Sequence, residues 1–237
     1  MSSSVHHRLR ELEDEPRWLQ ANSILRDRGL LLFDANGAVV VGVEDELVCI
    51  VGRPDADTVR RAVALGAPES EVIAQPDAKD RVAEALGCAG EEADIHVLDG
   101  ADPAVDIDRE LAVRVLEHMP DDVPDAELAE ELERPFALGH PVSAVVVDDR
   151  PVAFCYACSV TDRYWDVSID TLEAHRRRGY AAQAFLHHYG LMRTLGKEPV
   201  WGSVAGNAAS RELARKLGFR KESTIWVFEL DSVAPPL

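Results

Sequence analysis

The chain has 237 residues, enough for one large domain or two small ones with a real hydrophobic core. A composition of 46% hydrophobic and 29% charged residues excludes collagen-like, low-complexity and disordered classes. The formal net charge of −18 argues against nucleic acids and anionic membranes as partners, because both bind to basic surfaces.

The first half of the chain predicts one helix followed by alternating strands and helices. The charged helix is expected at about residues 7–28, and three β-rich runs separated by turn residues follow it. The runs and the elements after them are expected at 30–34, 38–43, 46–52, 56–64 (helix), 71–74, 77–86 (helix) and 93–98. The order after the first helix is therefore β-β-β-α-β-α-β.

The second half repeats this order after an acidic segment. Residues 102–135 are predicted as two helices, at 107–119 and 125–134, which Pro120 and Pro124 separate because proline does not fit a helix interior. A second three-strand meander and a helix-strand-helix-strand series follow. We therefore predict a duplicated α/β fold with two domains, residues 1–101 and 102–237.

The cysteines and the apolar runs favour a cytoplasmic protein with reduced thiols. No stretch approaches 18 consecutive apolar residues, and the start has no apolar core typical of a signal peptide. Four irregularly spaced cysteines do not suit a disulfide framework. Cys155 and Cys158 form a lone C-x-x-C inside a strand-like run, so no metal site is expected.

Charge is distributed unevenly along the chain. Residues 101–140 contain 12 Asp and Glu against three Arg, whereas residues 171–221 contain ten Arg and Lys against three Glu. Either segment can be an ordinary solvated surface. The opposite signs favour a cation-attracting segment and an anion-attracting one in the same half of the chain.

The most informative motif is Arg176-Arg177-Arg178-Gly179-Tyr180-Ala181, between a predicted strand and a predicted helix. Glycine allows a close backbone approach, a helix amino terminus attracts anions, and arginines suit phosphate oxygens. The loop lacks both the Gly-Lys-Ser/Thr of a Walker A motif and a G-x-G-x-x-G. It predicts a pyrophosphate site, the alternative being a basic surface turn.

This loop and a second motif resemble the GNAT superfamily of N-acetyltransferases. The loop matches the pattern [Q/R]-x-x-G-x-[G/A], and the run from Asn207 and Ser210 to Lys216-Leu217-Gly218-Phe219 matches the family's usual ending. The resemblance implies a mixed, mostly antiparallel GNAT-type sheet flanked by helices. The first half looks like a degenerate copy of the fold, because Gly52-Arg53-Pro54-Asp55 takes the place of the loop.

The resemblance also implies acetyl-CoA as the donor, bound by the second half only. In it, the pantetheine lies along the strand that ends at Leu172, with the amides of Ile169 and Thr171 as donors. The candidate cofactor-binding residues in full are Ile169, Thr171, Leu172, Arg176, Arg177, Arg178, Gly179, Tyr180, Ala181, Ala182, Asn207 and Ser210. Asn207 can equally be a helix cap alone.

Three carboxylates are candidates for the base that an amine acceptor needs. Strand alternation places Asp166 and Asp170 on one face, with Glu173 just past the strand, although each can instead be a solvated surface group. Family members often carry a tyrosine acid where this chain has Ala214, so that acid is absent. Adjacent His187 and His188 point about 100° apart, which predicts packing rather than action on one centre.

Three functions from different classes remain open. The leading hypothesis is transfer of an acetyl group from acetyl-CoA to a primary amine of a small acceptor, by direct attack in a ternary complex. A cationic acceptor is favoured by the acidic segment. The alternatives are a non-catalytic acyl-CoA-binding regulatory module and a pure interaction protein. The protein is expected to be a monomer or a homodimer.

Overall fold

A computed structural model describes residues 12–26, 29–34, 36–42, 47–66, 71–98 and 100–230. The predicted first helix lies partly outside these ranges. Its described part contains a 3-10 turn, Pro16–Trp18, and the helix α1, Leu19–Arg26. No helix in the described ranges has the length and apolar character needed to cross a membrane.

The remaining elements of the first half follow the predicted order. Asp55 caps the helix after the third strand, because its carboxylate accepts the Thr58 amide at 2.7 Å. The elements are β1 (Leu30–Phe33), β2 (Gly37–Val41), β3 (Leu47–Gly52), α2 (Ala56–Val63), β4 (Glu71–Ala74), α3 (Lys79–Leu86) and β5 (Glu91–Val97).

The second half contains two more strands than the sequence predicts, because one predicted strand is divided in two and another strand forms within a predicted helix. Its elements are β6 (Val113–Leu116), α4 (Ala126–Ala137), β7 (Val142–Val147), β8 (Arg150–Tyr156), β9 (Tyr164–Asp166), β10 (Ser168–Thr171), α5 (Tyr180–Thr194), β11 (Glu198–Val204), α6 (Ala208–Leu217) and β12 (Arg220–Glu229). Where each described element lies in the sequence otherwise agrees with the prediction to within a few residues.

The predicted helix at 107–119 is wrong. Residues 113–116 form β6, which pairs antiparallel with β7 in the register Val113↔Val145 to Leu116↔Val142. The run Val-Arg-Val-Leu alternates as a strand does, and the β7 edge satisfies its backbone groups. The acidic helix of this segment is α4 alone, capped by Asp125 at 3.2 Å from the Leu128 amide.

Contacts between Cα atoms group the chain into two compact units. The first contains Met1–Ile95, Gly202–Ala208 and Lys221–Leu237, and the second contains His96–Trp201 and Ala209–Arg220. The last strand, β12, thus belongs largely to the first unit. This grouping does not test whether the two halves are copies of one fold. The division into domains at residues 1–101 and 102–237 therefore stays a prediction.

In the first unit, strands β1 to β4 and β12 form a mixed sheet. β1, β2 and β3 are antiparallel neighbours, β3 and β4 are parallel, and β4 pairs with β12 in the register Trp226↔Ala74 to Glu229↔Glu71. Helices α2 and α3 cover one face through buried Val59, Ala62, Val82 and Leu86. Residues Ala21 and Ile24 of α1 pack against Val40 and Cys49, whose side chains alternate to the other face.

In the second unit, an antiparallel sheet in the order β10-β8-β7-β6 lies between two helices. Alternate residues of β7 and β8 face opposite helices. Leu128 and Leu132 of α4 pack against Phe154 and Tyr156, whereas Phe185 of α5 belongs to the cluster of Ala153 and Cys155. The predicted mixed, mostly antiparallel sheet flanked by helices is confirmed.

The two adjacent histidines of α5 meet a buried serine. Ser143 Oγ lies 3.0 Å from His187 Nδ1 and 3.2 Å from His188 Nδ1, so the expectation that the two rings cannot act on one centre is wrong. The serine lies close enough to the helix for both rings to turn towards it. His188 has no exposed surface and contacts Trp165 edge-on, at 4.8 Å between centroids. Burial, with His187 and His140 nearby, lowers its pKa to about 4.

We predict that the titration of His188 contributes to acid unfolding. Its pKa is 6.5 when exposed and about 4 when folded, so between these values the unfolded chain binds the extra proton and stability falls as pH falls. At about 1.4 kcal/mol per pH unit, the free energy of unfolding should fall by roughly 3 kcal/mol more in wild type than in His188→Gln between pH 7 and 4. Urea titrations at each pH measure this difference.

The matched control is His118→Gln, because His118 is exposed. This variant should keep the wild-type dependence of stability on pH. The explanation fails if His188→Gln and wild type lose stability in parallel across the same range.

Candidate active site

The site is formed where one strand leaves its neighbour. β9 pairs in parallel with the start of β11, from Glu198↔Tyr164 to Val200↔Asp166, and the Val167 amide donates to Val200 O at 2.9 Å. β10 then pairs with β8 and forms the edge of the four-stranded sheet. The chain therefore changes partners at Val167, which opens one side of β10.

Backbone alternation decides which amides of β10 face the open side. The Leu172 amide donates to Val152 O of the neighbouring strand β8 at 3.0 Å. Because successive residues of an antiparallel pair direct their amides to opposite edges, those of Ile169 and Thr171 point away from β8. These two residues are the predicted amide donors, and the register is compatible with that role.

The arginine-rich loop makes a sharp bend before α5. A 3-10 turn, Glu173–His175, leads to extended Arg176, and the backbone of Arg177 has a φ of 60°. Such a value is uncommon for a residue with a side chain, and strain of this kind is concentrated at ligand sites. Gly179 follows with a φ of 82°, which only glycine adopts without cost.

The bend leaves the amino terminus of α5 without a cap from the protein. Gly179 offers no side-chain acceptor, and the first bond of the helix runs from the Gln183 amide to Gly179 O at 3.3 Å. The amides of Tyr180, Ala181 and Ala182 precede that bond and have no acceptor within the helix. With the helix dipole, they form a cradle for an anion.

The three arginines of the loop come just before this cradle in the chain. All three are exposed. Arg176 Nε donates to Thr171 O at 3.1 Å, and an Arg178 guanidinium nitrogen donates to Ala174 O at 3.3 Å. Thr171 Oγ1 and His175 Nδ1 are buried polar atoms with no hydrogen-bond partner among the described residues. The donors present suit a large polyanion such as a diphosphate.

In the first half, carboxylates accept the backbone amides at the start of helix α2. Asp55 accepts the Thr58 amide of α2, and Asp34 accepts the amide of Asp55 itself. The other oxygen of Asp34 accepts the amides of Asn36 and Gly37, at 2.6 and 3.0 Å. Two negative side chains therefore accept the backbone amides before and at the start of this helix.

Of the three candidate carboxylates, Asp166 is bound by backbone in a turn, as a residue that stabilises the fold would be. Its Oδ1 accepts the Ser159 amide at 2.7 Å, within the turn that joins β8 to β9. Burial raises its pKa to about 6, against the opposing effect of these backbone hydrogen bonds. Glu173 is exposed, in the 3-10 turn. The two residues therefore lie in quite different surroundings.

Asp170 lies on β10 between the two outward amides and faces α4. Its Oδ2 is 2.9 Å from the Tyr156 hydroxyl, which is also 2.8 Å from Glu131 Oε2. Burial and the nearby Asp125 and Glu127 raise the pKa of Asp170, whereas Tyr156 and Arg176 oppose the shift. Asp166 and Asp170 are thus held by different partners.

Sequence reasoning missed Tyr156 and Glu131 as site residues. Tyr156 ends an apolar strand and is 1% exposed, and Glu131 is one of many acidic residues on α4. The polar hydroxyl of a tyrosine at the end of a core strand signals that a buried partner is needed. The partner itself depends on the register between β8 and β10.

The remaining motif residues lie around α6. Asn207 directly precedes the helix, and Ser210 Oγ accepts the Trp201 indole N–H at 2.9 Å. Ala214 has no exposed surface and belongs to the core of the second unit. At the position of the absent tyrosine, the chain therefore contributes packing alone.

The comparisons with known proteins agree with this geometry. A model of the GNAT acetyltransferase family matches residues 142–228, which include both motifs. A search of curated protein sequences found no match.

Solved structures share the fold over most of the chain. A GCN5-related N-acetyltransferase from Kribbella flavida has a TM-score of 0.61 at 14% identity, over 90% of this chain and 93% of that one. A GCN5-related N-acetyltransferase-like protein from Streptococcus suis has a TM-score of 0.61 at 15% identity, over 95% and 96%.

A tandem GNAT protein from the clavulanic acid biosynthesis pathway is similar over the whole length. It has a TM-score of 0.54 at 11% identity, and the match covers 100% of this chain and 98% of that chain. The GNAT resemblance expected from the two motifs is thereby confirmed: residues 142–228 match the GNAT acetyltransferase family, and the chain shares its fold with solved GNAT proteins.

Proposed function

We propose that the protein is an acetyl-CoA-dependent N-acetyltransferase that acts on a small cationic amine. The observation that carries this proposal is the uncapped amino terminus of α5, where free amides and three arginines adjoin the open edge of β10. A diphosphate neutralises the dipole of that terminus, as a carboxylate does at α2. Coenzyme binding is therefore assigned to the second half alone.

The proposed binding mode uses backbone donors along two segments. The amides of Tyr180 to Ala182 and the arginine side chains hold the diphosphate. The outward amides of Ile169 and Thr171 bind the pantetheine and the thioester oxygen. When bound, acetyl-CoA supplies the activated acetyl group, and an amide at its oxygen contributes roughly 2.7–4 kcal/mol in comparable sites.

The acidic side of the second unit supports a cationic acceptor. Glu131 lies on α4 and shares the Tyr156 hydroxyl with Asp170, and Asp125 and Glu127 act on both carboxyls through their charge. An alkylammonium ion with a pKa near 10.4 is attracted there but is only about one part in 10³ neutral at pH 7. A base must therefore remove its proton before attack.

We assign the role of base to Asp170, because it lies on the same strand as the proposed oxyanion donors. Its raised pKa brings it closer to that of a useful general base at neutral pH. With acetyl-CoA bound, the neutral amine would form a bond to the thioester carbon as the C–S bond breaks, and the second proton of the nitrogen would pass to the departing thiolate directly or through water. A coenzyme thiol, with a pKa near 8.5, can leave without a protonated side chain at Ala214.

A non-catalytic acyl-CoA-binding module is the second candidate. The observation that favours it is the buried Ala214, which supplies no side-chain acid at that position for the thiolate. Calorimetry with acetyl-CoA and CoA, together with release of free CoA from a panel of amines, separates the two. Binding without turnover of polyamines, aminoglycosides or amino acids would favour the module.

We predict that Gly179→Glu abolishes acetyl-CoA binding. A glutamate at the cradle repels the diphosphate and is strained at positive φ by about 1–2 kcal/mol. At 100 times Kd, a ligand stabilises the protein by about 2.7 kcal/mol. Wild type should therefore gain roughly 5–10 °C in Tm, at about 2–4 °C per kcal/mol, and the variant nothing.

Gly196→Glu is the matched control, because Gly196 has a φ of 71° and open space at its Cβ, at the other end of α5. It carries the same strain and the same charge. Its Tm should rise with acetyl-CoA as that of wild type does. Equal Tm shifts in all three proteins would remove the basis for the phosphate cradle.

We predict that Asp170→Asn lowers kcat by about 10²–10⁴, the usual contribution of a general base. The Tm increase with acetyl-CoA should not change, because Asp170 holds no part of the diphosphate. In wild type, activity should fall as pH drops through the pKa of Asp170, which burial raises above 3.8. Steady-state release of CoA with a turned-over amine measures both effects.

Glu133→Gln serves as the control for this variant, since Glu133 is exposed on the same helix as Glu131. Its kcat should stay within about threefold of wild type. A wild-type rate in Asp170→Asn would transfer the role of base to another group.

A further inference from the structure

Tyr156 lies between two carboxyl groups, one on each side of its hydroxyl. Its oxygen is 2.8 Å from Glu131 Oε2 and 2.9 Å from Asp170 Oδ2. The register pairs Tyr156 with Ser168 and Phe154 with Asp170, so the tyrosine and the aspartate are diagonal neighbours on one face of the sheet. Glu131 reaches the same hydroxyl from α4.

The number of protons in this group follows from its geometry. A phenol has one proton to donate, and an ionised carboxylate only accepts. The phenol can therefore satisfy one of the two short contacts, and the other requires a proton on the carboxyl. Two protons are thus shared among Glu131, Tyr156 and Asp170.

The surroundings keep both carboxyls ready to bind that proton. Burial and their mutual repulsion raise the pKa of Glu131, as do Glu127 and Asp125 of the same helix and its cap. Arg176, from the loop, favours the ionised form of Asp170. Burial and the two carboxyls raise the pKa of Tyr156 above its usual range, so the phenol stays protonated.

The two ends of the group differ in exposure, and the tyrosine between them is buried. Asp170 is half-buried beside the proposed thioester site, Tyr156 is 1% exposed, and Glu131 is exposed to solvent. The three groups therefore connect the reacting face of β10 to water through two hydrogen bonds.

We propose that Asp170, Tyr156 and Glu131 form a proton relay that carries the proton of the amine acceptor from the active site to solvent. This inference rests on the proposed function, with Asp170 as the base. Tyr156 and Glu131 act through Asp170 and are positioning residues. They contact neither the acceptor nor the coenzyme in this scheme.

The relay balances over one turnover. At the start, Asp170 is ionised, the phenol donates to it, and protonated Glu131 donates to the phenolic oxygen. The N–H bond of the ammonium breaks as its proton binds to Asp170, and Glu131 releases its own proton to water. The Asp170 carboxyl turns and passes its proton to the phenolic oxygen while the phenolic proton moves to Glu131 Oε2, which restores the first state.

The first test compares Tyr156→Phe and Glu131→Gln with wild type and with Glu133→Gln. Both relay variants should lose about 10- to 100-fold in kcat, with little change in the KM for acetyl-CoA and an unchanged Tm increase on its addition. Small buffers such as imidazole should restore the rate of Glu131→Gln in proportion to their concentration. A purely structural role would not respond to buffer. Wild-type kcat in both variants would overturn the relay and leave acetyl transfer standing.

The second test needs no substrate. Carboxyl ¹³C NMR of the free protein should show Asp170 and Glu131 titrating as a coupled pair, in two steps that belong to both groups. In Tyr156→Phe the coupling should weaken, and in Asp170→Asn the Glu131 signal should titrate in one step. Independent titration of the two carboxyls in wild type would overturn the relay, whatever the activity.

The two proposals fail in different ways. If wild type turns over no amine, the proposed function is overturned and the relay with it, even where the carboxyls titrate together. If amines are turned over and the carboxyls titrate independently, the relay alone fails.

Discussion

The site depends on one change of strand partner. At Val167 the chain leaves the parallel pair with β11 and continues as β10, bound to β8 alone. A continued ladder would engage the amides of Ile169 and Thr171 in the sheet, where they could bind nothing else. The loop from Arg176 to Gly179 connects this strand to the start of α5. The edge of free amides and the uncapped helix terminus therefore lie close together in the chain.

Electrostatics then give the two faces of this edge different chemistry. The loop presents arginines and helix-terminal amides, and α4 presents carboxylates towards the opposite face of β10. In the proposed function, these charges attract a polyanionic donor and a cationic acceptor to separate places on one strand. Asp170 lies at the boundary, with Arg176 favouring its charge and the acidic residues of α4 disfavouring it.

In the first half, carboxylates of the chain itself bind the start of a helix. Its helix α2 begins after a strand, as α5 does after β10, but Asp55 and Asp34 accept the amides at its start. A carboxylate supplied by the chain stabilises the helix without a ligand. In α5 the same free energy is available to a bound phosphate, because Gly179 supplies no acceptor. The local sequence at each helix start decides between these outcomes.

The sequence by itself determined the order of most elements, the uneven charge and the arginine-glycine loop, because these depend on local periodicity, turn residues and composition. It misassigned 113–116 to a helix, since only pairing with β7 makes that run a strand. It could not distinguish Asp166 from Asp170, because both lie on one face of the same predicted strand. The tertiary structure distinguishes them: Asp166 accepts the Ser159 amide of a turn, whereas Asp170 lies within hydrogen-bond distance of the Tyr156 hydroxyl. Tyr156 and Glu131 entered the site in the same way, because contacts between residues distant in the chain depend on strand register and helix docking, which no local pattern encodes.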